Sequence, residues 1–398
     1  MVAGIPTATT QSPRAMNKAP AATPAASSPA GARATIGPEP TIGPEPTAGP
    51  RPPATDRRTP TAGPRPPAPD RRPPTDRGHA SYTWSMNEIK FGALCWNQYT
   101  DWPSLLEAGV RADTLGYDTL WTWDHLYPIV GDSHGPIFEG WLTITAWAIA
   151  TRRVRIGLMV GANTFREPTL TAKMATTLDH LSGGRAILGI GAAWFEEEHL
   201  DFGLPFGSGF PERLRWLGEA LPIMRGMLDG TEPTASGPRY RARHVRNLPP
   251  PVQAHLPILI GGGGEKVTLK LVAKYADMNN VGGGIENVRR KEAILLEHCA
   301  AVGRDPATIE RTTGIGTVFI RDDRAEAERL FRAAFERNRI AEPWKDQPVG
   351  TPEDVAGMLA PYLELGYRHF VAGLPATYDE ESMTRLITEV KPLLERMS

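Results

Sequence analysis

From about residue 88 onward, short apolar runs alternate with segments of helical period, and this limits the possible folds more than any other feature of the chain. The runs are IKFGAL (89–94), TLWTWDH (119–125), VRIGLMV (154–160), AILGIG (186–191), PILIGG (257–262), DMNNVG (277–282), TTGIGTVFI (312–320) and RHFVAGL (368–374). Between them lie apolar stripes at helical spacing. One is Leu214, Leu217, Leu221, Met224 and Leu228; a second is Val267, Leu271 and Tyr275; a third is Met383, Leu386, Ile387, Val390 and Leu394. Strands separated by helices must run parallel, because each helix carries the chain back to the starting edge. Eight such units predict an α/β fold, a (β/α)8 TIM barrel over residues 86–398, with an open doubly wound sheet as the competitor.

Residues 1–85 cannot belong to that barrel. They hold 19 of the 39 prolines, no aromatic residue before Tyr82, and a near repeat, TAGPRPPATDRRTP at 47–60 and TAGPRPPAPDRRPP at 61–74. Such a segment buries too little apolar area to offset its ordering entropy, so it predicts a disordered extension with local polyproline character. It carries a charge of +5 from 10 Lys/Arg and 5 Asp/Glu, while the whole chain is at −1. That balance predicts no nucleic-acid partner. No apolar stretch has the length of a secretory core or a membrane helix. The two cysteines, Cys95 and Cys299, are far apart and lack metal-ligand spacing, which suits a reducing cytoplasm.

Active sites of such barrels form where the strands end. The predicted strand ends carry Trp96-Asn97, Trp123-Asp124-His125, Gly161-Ala162-Asn163, Gly191 with Trp194, the run Gly261–Gly264, and Asn279-Asn280 with Gly282–Gly284. Aromatics, amides, an Asp-His pair and two glycine runs on one face suit a flat, partly polar ring with an anionic tail. Each feature also has a plainer reading. GIGAAW begins like a dinucleotide fingerprint, but Trp194 stands where the third small residue belongs. GGGGEK lacks the ending of a P-loop, yet backbone amides before a helix still suit phosphate. Glu196 and His199 have metal-helix spacing but no second copy, so no metal is predicted. His125, beside Asp124 at a strand end, is read as functional and not as a core histidine.

These residues resemble the luciferase-like monooxygenase superfamily, in particular its branch of oxidoreductases dependent on coenzyme F420. The resemblance lies in LGYDTLWTWDHL (115–126), TFREPTLTAKMATTLDHLSGGRAILGIGAAWFEEEHLDFGLPF (164–206), PVQAHLPILIGGGGEKVTLKLVAKYADMNN (251–280) and EHCAAVGRDPATIER (297–311). It implies a hydride-transferring enzyme acting on a small organic substrate, and a homodimer. An FMN-dependent monooxygenase is the alternative, and a non-catalytic flavin-binding protein a third reading. By the same resemblance Asp124 contacts the deazaflavin edge and His125 exchanges the proton. Val160, Gly161, Ala162 and Asn163 support the ring after a non-prolyl cis peptide at Met159–Val160 or Val160–Gly161. Gly262, Gly263 and Gly283 hold the phosphate, and Trp194 lines the ring and substrate edge. Relatives place a catalytic glutamate near the fourth strand's end; Trp194 stands at the equivalent position, with Glu197 and Glu198 just beyond, and Glu198 is the candidate acid. Loops 127–140 and 230–256 are expected to cover the substrate.

Overall fold

The computed structural model of the protein describes residues 87–342 and 344–398. The proline-rich extension at 1–85 lies outside the described residues. Eight parallel strands form the fold, in chain order Lys90–Cys95, Thr119–Thr122, Arg155–Leu158, Ala186–Gly191, Ile258–Gly261, Met278–Asn280, Glu310–Thr317 and His369–Leu374. The first pairs with the second and the eighth. The ladder closes where the third strand pairs with the fourth, so the sheet is a barrel and not an open sheet.

Helices α1 (Trp102–Leu115), α2 (Gly140–Ala150), α3 (Pro168–Ser182), α4 (Glu196–Asp201) and α5 (Phe210–Leu228) cover the first half. Helices α6 (Thr268–Tyr275), α7 (Ile285–Val302), α8 (Arg324–Arg337), α9 (Pro352–Leu363), α10 (Glu380–Arg385) and α11 (Lys391–Glu395) cover the second. Local chemistry sets their ends. The Asp101 side chain accepts from the Ser104 amide at the start of α1, and Gly116 at φ 100° closes it in the left-handed conformation. Thr351 and Asp354 form a reciprocal capping box at α9.

Two apolar layers result. One lies between strands and helices; the other fills the lumen with Leu94, Trp121, Met159, Ile187, Leu259, Met278 and Val371. The stripe on α5 is buried as its spacing predicts. That predicted for α6 holds in part: Leu271 and Tyr275 are half-buried and pack against the core beside the buried Leu269, Val272 and Ala273, but Val267 is exposed. Val267 is the N-cap, with non-helical backbone, and so does not share the helix's buried face. The seventh strand is also shorter than the run 312–320. It ends at Thr317, and Phe319–Ile320 leaves the barrel to pair with Val349–Gly350.

At the amino ends of the strands the barrel is tied by a buried polar chain. Glu310 accepts from Lys90 Nζ at 3.1 Å and binds His369 Nδ1 at 2.8 Å; His369 Nε2 meets Thr119 Oγ1 at 2.8 Å. Four strand starts are joined in this way, at the rim opposite the carboxyl ends of the strands, where barrels keep stability and not chemistry.

Candidate active site

The carboxyl ends of the strands open into a cleft of about 680 Å³. Its walls bring together Asp124, His125, Val160, Gly161, Ala162 and Trp194, and across from them Gly262, Gly263 and Gly283. The second and sixth strands lie four apart in a closed ladder of eight, so the Asp-His pair and the second glycine run sit on opposite sides.

His125 is buried, and its Nδ1 lies 2.8 Å from Glu198 Oε1. The other oxygen of Glu198 accepts from the Leu126 amide at 2.8 Å. A carboxylate acceptor puts the proton on Nδ1 and leaves Nε2 as the nitrogen available to a ligand. Glu198 itself is fully buried behind the imidazole and is not among the residues lining the cleft. Here Glu198, the candidate acid, braces His125 and presents no surface to the cleft. Trp194 packs edge-on to His125 with centroids 5.5 Å apart and stacks on Phe195 at 5.4 Å. It is 38% exposed, the wall between imidazole and solvent.

Asp124 lines the cleft, but its carboxylate is already engaged. Arg166 binds it with both terminal nitrogens, at 2.7 and 3.1 Å, and the Ala162 amide donates to it at 2.8 Å. Arg166 also reaches Glu139 at 2.8 Å. Burial pushes the Arg166 pKa down, but Asp124 and Glu139 outweigh it and the net shift is upward, so the guanidinium keeps its charge. Asp124 therefore locks the end of the second strand to the turn after the third.

That turn contains the Met159–Val160 peptide in the cis form, one of the two positions expected. Val160 then stands among glycines. A Cβ on Gly191 would lie 2.7 Å from Val160 Cγ2, and one on Gly261 2.8 Å from Val160 Cγ1. Both glycines are required by Val160 as much as by any ligand. Asn163 is not in the cleft; its amide donates to the Tyr240 hydroxyl at 3.1 Å, which donates back to the Asn163 carbonyl. Asn97 and Asn279 likewise donate to backbone carbonyls, of Trp123 and Ile260 respectively, while the side-chain oxygen of each is buried without a partner among the described residues. The amides that suggested ring-edge contacts mostly hold the scaffold.

His199, read by spacing as a metal candidate, is buried between Thr164 Oγ1 at 2.7 Å and the Phe195 carbonyl at 2.6 Å. Burial, the largest influence, lowers its pKa, so it is a neutral packing histidine.

Sequence reasoning missed Lys291 and Arg290, which line the cleft beside the glycine runs and pair with Glu265 at 2.6 and 3.3 Å. The Lys291 hydrogen bond, foremost, holds Glu265 below the usual carboxylate range. The signal was present: VRRKE (288–292) lies in the first turns of α7, just past the glycines that open it. Phe210, Leu214 and Leu217 of α5 supply an apolar wall that was also missed. Among the described residues, loops 127–140 and 230–256 contribute no lining side chain, contrary to expectation. Their positions explain this: Val130 packs into the lumen cluster and Tyr240 props Asn163.

Residues 89–366 match the model of the luciferase-like monooxygenase family. An F420-dependent glucose-6-phosphate dehydrogenase of Amycolatopsis mediterranei is 27% identical over 324 residues, covering 74% of this chain and 95% of its own. Among solved structures, an F420-dependent secondary alcohol dehydrogenase bound to an F420–acetone adduct superposes with a TM-score of 0.65 at 20% identity. That likeness covers 77% of this chain and 99% of the dehydrogenase. A long-chain alkane monooxygenase gives 0.65 at 17% identity, over 78% and 91% of the two chains. With its closed barrel and a family match over most of its length, the chain belongs to the luciferase-like monooxygenase family.

Proposed function

We propose that the protein is an oxidoreductase that uses coenzyme F420 to move a hydride to or from a small organic substrate. The observation that carries this reading is that one cleft pairs His125, braced from behind by Glu198, with glycine loops and two cations on the facing side. A flat ring with an anionic tail fits such a cleft. The amides of the loops at Gly262–Gly264 and Gly282–Gly284, with Lys291 and Arg290, suit phosphate. Gly161 and Ala162 give the ring bare backbone to lie against, and Trp194 and Leu214 close its sides.

When bound, the deazaflavin supplies a carbon that gives or takes hydride where a flavin has nitrogen. The chain supplies position and a proton. His125 lines the cleft, and with Nδ1 held by Glu198 its Nε2 gives or takes the proton that accompanies hydride movement at a substrate oxygen. Trp194 and the α5 side chains exclude water from that exchange.

An FMN-dependent monooxygenase is the second reading. It rests on likeness of fold to a monooxygenase, and one fold hosts many chemistries. The named sequence relatives favour F420. Titrating the full chain with F420 and with FMN, by fluorescence quenching, separates the two. F420 is expected to bind more tightly; preference for FMN would turn the assignment to the monooxygenase. Both cysteines are buried free thiols, which accords with a reducing cytoplasm, and no described helix is long and apolar enough to cross a membrane. A homodimer remains our expectation from the family, to be read from the mass in solution.

A further inference from the structure

The glycine-loop end of the cleft involves one residue that the proposed function does not use. Lys291 and Arg290 line the cleft, yet Glu265, the one carboxylate set against either of them among the described residues, does not line it. Glu265 lies in the turn before α6, and its Oε1 reaches Lys291 Nζ at 2.6 Å and Arg290 at 3.3 Å. The Lys291 side chain is 12% exposed and that of Glu265 39%. A mostly buried ammonium needs a counter-charge, and Glu265 supplies it from the more exposed side of the pair.

The geometry sets up a contest for the same cations. A Cβ on Gly263 would lie 3.4 Å from Lys291 Cγ and Cε, so the lysine stem runs along the bare backbone of the glycine loop and carries its ammonium on to Glu265. An anion held by the amides of that loop sits beside the stem. The backbone of Glu265 is fixed independently of its carboxylate, because its carbonyl meets His298 Nε2 at 2.7 Å. Only the glutamate side chain has to turn outward to release Lys291. Arg290 has a second hold, Asn287 Oδ1 at 3.2 Å, which does not depend on Glu265. Lys291, foremost, holds the Glu265 carboxyl below its usual range, so the competitor carries a full negative charge at neutral pH.

We infer that Glu265 is a built-in competitor for the anionic part of the ligand and sets the affinity of this end of the cleft for phosphate. The inference rests on the oxidoreductase reading above, in which these cations meet the cofactor's phosphate. A ligand that brings Lys291 only a carboxylate exchanges like for like. A phosphate gains the loop amides as well and displaces the glutamate. A glutamate that merely braced Lys291 in place would have the opposite sign of effect, since its loss would loosen the site.

The test compares the full chain with its Glu265→Gln variant in two titrations. One follows inorganic phosphate by ³¹P NMR; the other follows, by fluorescence quenching, F420 and the deazaflavin alcohol that lacks phosphate. Glu265→Gln is expected to bind phosphate and F420 about 2- to 5-fold more tightly, the range for removing one partly exposed ion pair. The phosphate-free deazaflavin is expected to bind both proteins alike, and the gain for phosphate to shrink at high salt. Adding Lys291→Met is expected to cancel most of the gain. The inference is overturned if Glu265→Gln binds phosphate no better than wild type, if the phosphate-free deazaflavin gains as much as F420, or if the whole gain survives without Lys291. Failure of F420 to bind either protein, while phosphate still binds the variant more tightly, would sink the cofactor reading and leave the role of Glu265 standing.

Discussion

At the scale of single residues, Asp124 and His125 are neighbours in the chain with different work. His125 faces the cleft with one nitrogen held by Glu198. His125→Asn is expected to bind F420 nearly as well as wild type, since the glycine loops and Trp194 remain. Its turnover should fall roughly 100-fold or more, the usual contribution of a positioned acid or base. Steady-state kinetics beside a cofactor titration checks this; full turnover would make His125 a wall and nothing more. Asp124→Ala behaves otherwise. It strips Arg166 of a bidentate partner and leaves the Ala162 amide without its acceptor. Breaking a buried pair from one side costs about 3 kcal/mol or more, so this variant should melt earlier before its cofactor binding is even asked about. A melting temperature within a degree or two of wild type would return Asp124 to the role of a pure ligand contact.

At the scale of elements, the turn after the third strand shows how a glycine pattern can be read for the wrong partner. Gly191 and Gly261 stood at predicted strand ends as part of a ligand-binding face, yet the side chain they make room for is Val160. Gly261→Ala is therefore expected to cost about 1–3 kcal/mol by overpacking and to weaken cofactor binding by displacing the turn. Adding Val160→Ala should recover most of both losses. Thermal melts and F420 titrations of the single and double variants check the coupling; additive effects would show that the two positions do not meet.

At the scale of the whole molecule, the barrel separates chemistry at one rim from anchoring at the other. Burial raises the Glu310 pKa, but His369 and Lys90 outweigh it and the net shift is downward. A carboxyl depressed in the fold contributes stability that is fully present above its unfolded value. That contribution is lost as pH falls through the folded value. Wild type is thus expected to lose stability in acid, below the ordinary carboxylate range. Glu310→Gln should be weaker at neutral pH and lose less on acidification. Denaturant unfolding at neutral and acidic pH measures both slopes; parallel curves would remove Glu310 from the acid response. The extension at 1–85 sits outside this division. A chain beginning at Met86 is expected to bind F420 unchanged and lose under about 1 kcal/mol of stability, below the scale of one native contact. A larger loss in a melt would show that the extension packs on the barrel.

Much of this architecture is legible in the linear chain, because its causes are local. Eight apolar runs separated by helix-period segments determine a parallel barrel, and the positions of Asp124, His125 and the glycine runs at strand ends put them on one rim. The exposure of Val267 escaped because the helix begins only at Thr268, a boundary that periodicity does not mark. Which polar side chains face the cleft and which brace the scaffold was decided by tertiary contacts alone. Glu198 came to lie behind His125 across 73 residues, and Tyr240 drew Asn163 away from the cleft across 77. Lys291 and Arg290 joined the cleft because the sixth and fifth strands are neighbours in the closed ladder. Periodicity reports which face of an element is buried. What a polar atom on that face pairs with depends on residues brought near only by closing the barrel, and it is that pairing which separates a ligand contact from a brace.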